Sequence, residues 1–130
     1  MASIFSRIVS GEIPCHKIDE DDEFLAFLDV MPLVQGHVLV IPKVEIDYIF
    51  DIDDHKLGRM MAFAKKIAAA QRKSIPCKRI GVSVIGLEVP HAHIHLVPMN
   101  DANDVNFTRA KLQVDADRLR EMAALIRENL

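Results

Sequence analysis

Apolar residues fall in short blocks along the first half of the chain and at helical spacing in two longer stretches. Residues 23–30 (Glu-Phe-Leu-Ala-Phe-Leu-Asp-Val) lie between an acidic cluster and Pro32, which predicts a strand. Residues 36–42 (Gly-His-Val-Leu-Val-Ile-Pro) are rich in β-branched side chains and follow a Pro-containing turn, which predicts a second. The connection, residues 31–35, is too short for a parallel crossover, so the pair is expected to be antiparallel. The first half thus reads as strands, and a helix follows. Asp53 or Asp54 can cap it, and Leu57, Met60, Met61, Ala64, Ile67 and Ala68 recur at helical spacing until Ser74 and Pro76. Two more strands are expected over 79–85 and 89–97, then a polar loop over 100–106. A second amphipathic helix begins near Asp115, with Leu119, Met122, Ala123, Ile126 and Leu130 on one stripe. Strands around one helix, with a terminal helix added, describe an α+β domain on an antiparallel sheet.

The 130 residues allow one domain, 1–130. A composition of 50% hydrophobic and 27% charged residues is that of a soluble globular chain. The net charge of -3 argues against a nucleic-acid surface, which ordinarily needs a basic excess. No apolar run is long enough to span a bilayer, so no membrane association is expected. The first residues lack a signal peptide's charged and apolar regions, and Cys15 and Cys77 are too far apart in sequence to read as a disulfide framework. The expected compartment is the cytoplasm, with both thiols reduced.

Candidate chemistry concentrates in residues 89–98, Val-Pro-His-Ala-His-Ile-His-Leu-Val-Pro. On a strand, His91, His93 and His95 project from one face about 6–7 Å apart, while Ala92, Ile94 and Leu96 pack on the other. Three readings compete. A merely solvated face is one, although it leaves half of the six histidines in five residues unexplained. Metal binding is a second, but imidazoles spanning about 13 Å along a straight strand do not converge on one ion. The third is catalysis, because a neutral imidazole held in one tautomer is a nucleophile toward phosphorus at neutral pH.

His-x-His-x-His followed by an apolar pair resembles the motif of the histidine triad (HIT) proteins. The resemblance extends through Ile4-Phe5-x-x-Ile8-Val9-x-Gly11-Glu12-Ile13-Pro14, Phe24-Leu25-Ala26-Phe27-Leu28-Asp29-Val30 and Gly36-His37-Val38-Leu39-Val40-Ile41-Pro42-Lys43. The match is nearest the Hint branch. It implies a HIT-like fold: an antiparallel sheet of about five strands, a central helix and a C-terminal helix. It implies a hydrolase or nucleotidyl transferase acting at the α-phosphate of nucleoside phosphoramidates or dinucleoside polyphosphates through a nucleotidyl-histidine intermediate. By the same resemblance His93 is the nucleophile, His91 and His95 orient it and contact phosphate oxygens, and His37 joins their network. Asp29 would accept hydrogen bonds from ribose hydroxyls, and Phe5, Ile8, Phe27 and Val30 would wall the base pocket. A homodimer is implied; no metal or cofactor is.

The chain departs from the family pattern before the triad. Residues 80–88 are shorter and lack the usual Asn and Gln, leaving Ser83 and Glu88 as the only polar side chains between Gly81 and His91. These two become the candidates for phosphate and leaving-group contacts. The shortened loop also motivates an alternative, a nucleotide-binding regulatory or scaffold protein with weak catalysis. Some bacterial relatives hold a structural zinc where this chain has Ser3, Ser6 and Glu45, and serine is a poor zinc ligand. His16 and His55 read as surface residues, and the acidic run 19–23 as a solvated turn whose spacing matches no calcium loop.

Overall fold

The computed structural model describes residues 2–130. Its centre is one five-stranded antiparallel sheet in the order β1-β2-β3-β5-β4, with β1 Lys17–Glu20, β2 Phe24–Leu28, β3 Val38–Pro42, β4 Arg79–Ser83 and β5 Ile94–Met99. Three α-helices accompany it: α1 Ile4–Val9, α2 Asp54–Ser74 and α3 Ala116–Glu128.

Period-two alternation assigns each strand residue to one of two cores. Phe24, Ala26 and Leu28 of β2, Val38 and Val40 of β3, and Ile94 and Leu96 of β5 face the long helices. There they meet Met60, Phe63, Ala64 and Ile67 of α2, and Leu119, Met122, Ala123 and Ile126 of α3. Each fully buried Val, Leu, Ile, Phe or Met among them contributes roughly 1.5–3 kcal/mol. Leu25, Phe27, Leu39 and Ile41 point the other way and form a smaller core under Phe5 of α1. Both faces of β2 and β3 are therefore covered, and every residue of the two strands is buried.

Local chemistry fixes the element ends. Asp21 Oδ1 accepts from the Glu23 and Phe24 N–H groups, turning the acidic run into the β1–β2 corner. Asp53, and not Asp54, caps α2 by accepting from the Lys56 N–H, and Asp115 does the same for α3 through Arg118. Ile75 adopts extended backbone before Pro76 and stops α2. Within α2 the buried Gln71 donates from Nε2 to the Gly36 and Leu96 carbonyls at 2.9 and 3.0 Å, tying the helix to the start of β3 and to β5.

The α+β class and the antiparallel sheet match the expectation from sequence. Three element assignments differ. The first half is not all strand, since residues 4–9 are helical, capped by Ser3 and anchored by Phe5. A short strand, β1, precedes the predicted pair. The strand expected over 89–97 begins only at Ile94, so His91 and His93 lie in the approach to β5. Pro90 has no N–H to give a ladder, and the His91 N–H turns back to the Val89 carbonyl at 2.8 Å. Among the described residues no helix is long and apolar enough to cross a membrane.

Candidate active site

The site lies on the α1 side of the sheet, where alternation sends His95 while its neighbours Ile94 and Leu96 enter the main core. His95 pairs with Leu39 on β3 and with Ser83 on β4. The β2–β3 hairpin brings in Asp29 and His37, whose main chains join through Asp29 N–H to the His37 carbonyl at 3.0 Å. His37 is 1% exposed, His91 is fully buried and His93 is 7% exposed.

The hydrogen bonds define the tautomer of each ring. Leu33 N–H donates to His37 Nδ1 at 3.1 Å, so the proton of the neutral ring sits on Nε2 and is donated to His95 Nδ1 at 2.9 Å. His95 therefore carries its own proton on Nε2. His91 donates from Nε2 to the Pro42 carbonyl at 2.8 Å and accepts at Nδ1 from Ser3 Oγ, also at 2.8 Å. His93 donates from Nδ1 to the His91 carbonyl at 2.7 Å, which leaves the lone pair on Nε2. Among the described residues the one sealed side-chain polar atom without a partner is Gln71 Oε1. The Nε2 atoms of His93 and His95 have no hydrogen-bond partner among the described residues and are not sealed from solvent, one as a lone pair and the other as an N–H.

Burial favours neutral imidazole here. It lowers His37 to about 3 and His95 to about 4, helped in both by neighbouring histidines and Lys111, and it lowers His91 as well. Burial raises Asp29, against the opposing pull of the Met31 N–H, Lys111 and His93. Asp29 Oδ2 stands 3.8 Å from His37 Nε2, beyond hydrogen-bond reach.

Aromatic edges frame the row. Phe5 approaches His93 with ring centroids 5.0 Å apart and Phe27 at 5.6 Å, both edge to face. His93 and His95 lie 4.8 Å apart. Ile8 packs beside Phe5 and Phe27, whereas Val30 is 55% exposed past the end of β2. Of the two polar residues left in the shortened loop, Ser83 lies across the ladder from His95; Glu88 is exposed and makes no side-chain hydrogen bond among the described residues. His55 is exposed, as its sequence context suggests, and His16 is half-buried.

Two residues absent from the sequence reading complete the site. After the 3-10 turn Ala102–Val105, the chain crosses the open side of the row and places Phe107 4.6 Å from the His95 ring and 6.2 Å from His37. Lys111 Nζ stands 5.5 Å from the Phe107 centroid and donates to the Phe107 carbonyl at 2.8 Å. Arg109 Nη2 bonds the Leu33 carbonyl at 2.5 Å, and Leu112 N–H the Pro32 carbonyl at 2.8 Å, so this cover is stitched to the loop that carries Asp29. Lys111 forms no salt bridge among the described residues.

The ligand atoms of Asp29, His37 and His95 lie within 4.8 Å of one another, a set that could hold a metal ion. His37 Nε2, the nitrogen that faces Asp29, already donates to His95, so an ion held by that nitrogen would have to break the hydrogen bond. Ser3, Ser6 and Glu45 gather around His91 and bond one another: Glu45 Oε1 accepts from Ser3 N–H at 2.6 Å and from Ser6 Oγ at 2.8 Å.

Residues 10–102 match the HIT domain, and the chain belongs to the HIT family. Phe5, Ile8, Phe107 and Lys111 lie outside the matched stretch. Relatives include an uncharacterised HIT-like protein of Borreliella burgdorferi, 33% identical over 98% of this chain and 97% of that one. The adenosine 5'-monophosphoramidase of Saccharomyces cerevisiae is 37% identical over 77% of this chain and 64% of its own length. Among solved structures, a HIT-like protein from Bartonella henselae superposes with a TM-score of 0.86 at 31% identity, covering 98% of this chain and 96% of that one. A zinc-bound histidine triad protein from Mycobacterium smegmatis does so with 0.81 at 32%, covering 99% and 93%.

Proposed function

We propose that the chain is a nucleotide hydrolase or nucleotidyl transferase that attacks the α-phosphorus of nucleoside phosphoramidates or dinucleoside polyphosphates with His93. The observation that carries this reading is the His93 ring, with its Nδ1–H donated to the His91 carbonyl and its Nε2 lone pair unpartnered. Attack forms a phosphorus–Nε2 bond and breaks the bond from phosphorus to the leaving group, which takes a proton from solvent if it is an amine. The ring keeps its Nδ1–H and becomes cationic, and the His91 carbonyl stabilises that charge. Water then attacks phosphorus and gives up one proton to solvent, the phosphorus–Nε2 bond breaks and the lone pair returns to the ring, releasing a nucleoside monophosphate. His95 Nε2–H serves as a donor to a non-bridging oxygen through both halves.

The remaining groups receive the rest of the nucleotide. Asp29 is the acceptor for the ribose diol, and Phe5, Ile8 and Phe27, with Val30 at the rim, are the apolar walls for the base. Lys111 takes the role of the missing amide side chains, its free charge lying on the covered side of the row beside the anionic phosphate. Ser83 contributes from the edge of the sheet, and Glu88 stands on the leaving-group side. The phosphoramidase activity of the yeast relative supports this substrate class.

We further propose a cytoplasmic homodimer joined through β4. That edge strand and the loop after it expose Val82, Val84, Ile85 and Leu87, whereas the opposite edge, β1, is bound by α3 through Arg127 to the Lys17 carbonyl. Both cysteines are free thiols, in keeping with a reducing compartment.

The test is His93→Ala in single-turnover assays with a fluorogenic adenosine phosphoramidate. The rate should fall by about a thousandfold or more, together with loss of an acid-labile nucleotidyl adduct on the protein. A variant with near wild-type rate overturns the assignment. Calorimetric binding of AMP by a wild-type protein that turns over no nucleotide conjugate would instead favour the regulatory reading motivated by the shortened loop.

A further inference from the structure

We infer that Ser3 and Glu45 are positioning residues: together they latch α1 onto His91 and so hold the His91 carbonyl where it fixes the tautomer of His93. The inference rests on the catalytic reading for its consequence in turnover, but its structural content stands apart from it.

The need for a latch follows from where β5 begins. His91 and His93 precede Ile94, so no strand ladder sets the direction of the His91 carbonyl. The main-chain bonds holding this segment are His91 N–H to the Val89 carbonyl and Ala92 N–H to the Ile46 carbonyl. The side chain of His91 supplies the remaining constraint, and it is pinned at both nitrogens. Its Nε2–H reaches the Pro42 carbonyl, an acceptor only, so Nδ1 must accept. Two hydroxyls are near Nδ1: Ser3 Oγ at 2.8 Å and Ser6 Oγ at 3.4 Å. Ser6 gives its proton to Glu45 Oε1, which leaves Ser3 as the donor.

Ser3 is held in turn on every side. Its N–H reaches Glu45 Oε1 at 2.6 Å, and its Oγ accepts from Ser6 N–H at 3.1 Å while capping α1. Proton direction is therefore determined along the whole chain of contacts. Glu45 accepts from Ser3 N–H and Ser6 Oγ, Ser3 Oγ donates to His91, and the His91 carbonyl accepts from His93 Nδ1. Removing the Ser3 hydroxyl leaves a buried imidazole nitrogen without its donor and frees the ring to turn.

The experiment compares wild-type protein with Ser3→Ala, Ser3→Thr and Glu45→Ala. Ring tautomers are read by long-range proton–nitrogen NMR, and kcat and KM with the fluorogenic adenosine phosphoramidate. In wild type His93 should be wholly the Nδ1–H form. In Ser3→Ala it should become a mixture, with kcat down about tenfold to a hundredfold and KM little changed. Ser3→Thr, which keeps the hydroxyl, should restore both. Glu45 is exposed, so Glu45→Ala is expected to fold and to shift tautomer and kcat in the same direction by a smaller factor; it carries the test if Ser3→Ala does not fold. An unchanged His93 tautomer and kcat in whichever of these two variants folds overturns the inference, as does a Thr variant as impaired as Ala. A wild-type protein without turnover refutes the catalytic reading alone, since the NMR comparison still decides whether Ser3 sets the ring.

Discussion

Acid should unfold this protein in a way that one buried ring controls. His37 is lowered from 6.5 to about 3, first by burial and then by His95, Lys111 and His93. In the unfolded chain it takes up a proton near its ordinary value, whereas in the folded chain it stays neutral. A depressed folded value means the stabilisation is complete above pH 6.5 and is lost as the pH falls toward 3. At pH 5 the unfolded chain is favoured over about 1.5 pH units, which at 1.36 kcal/mol each is about 2 kcal/mol. His95, lowered to about 4, acts in the same direction, less its partial exposure to solvent. Asp29 opposes them, because a carboxyl raised by burial gains relative stability as it protonates. Urea unfolding of wild type at pH 7.5 and 5.0 should therefore show a loss of about 2–4 kcal/mol, a large share of an ordinary domain's stability. His37→Gln places an amide oxygen near Leu33 N–H and an N–H near His95, with no titration. That variant should fold at pH 7.5 and lose about 2 kcal/mol less on acidification. Equal pH dependence in the two proteins would refute the reasoning.

Other outcomes follow from single contacts. Gly36 has a φ of +83°, and an added Cβ would lie 2.0 Å from Ile75 Cδ1, so Gly36→Ala should cost about 2–4 kcal/mol in thermal unfolding. Gly58→Ala, in α2 with nothing near the new methyl, should stabilise by about 0.5–1 kcal/mol as the matched control. Gln71→Leu removes both Nε2–H donors from the Gly36 and Leu96 carbonyls and should cost about 2–3 kcal/mol in urea unfolding, with circular dichroism unchanged. Lys111→Ala should raise KM for a nucleotide substrate about tenfold with little change in kcat, and the difference should shrink with added salt.

The parts of the molecule legible from its sequence are those governed by strict periodicity. Ile94 and Leu96 enter the main core and His95 faces away from it, as alternation requires. The stripe of α3 from Leu119 to Ile126 is buried as its spacing predicts. Asp29 and His37 are eight positions apart, and only the register Leu28 to Val38 makes them neighbours; the family resemblance pointed to them where pattern alone did not. Helix α1 escaped because six residues rich in Ile and Val look extended, and its stability comes from a cap and from Phe5. Phe107 and Lys111 escaped because a polar, aperiodic segment carries no sign of what it crosses. Nor does the sequence show that Ser3 bonds His91 or that Ser6 bonds Glu45, partners 88 and 39 positions apart.

The floor of the site belongs to the sheet, whereas its flanks come from segments outside it, residues 4–9 on one side and 107–112 on the other. The two flanks are not equivalent: residues 4–9 touch the His93 ring through Phe5, whereas residues 107–112 reach His95 and His37 through Phe107. Changes in the second segment can therefore accumulate while the contact between Phe5 and His93 is left as it is, so the two flanks are free to diverge separately.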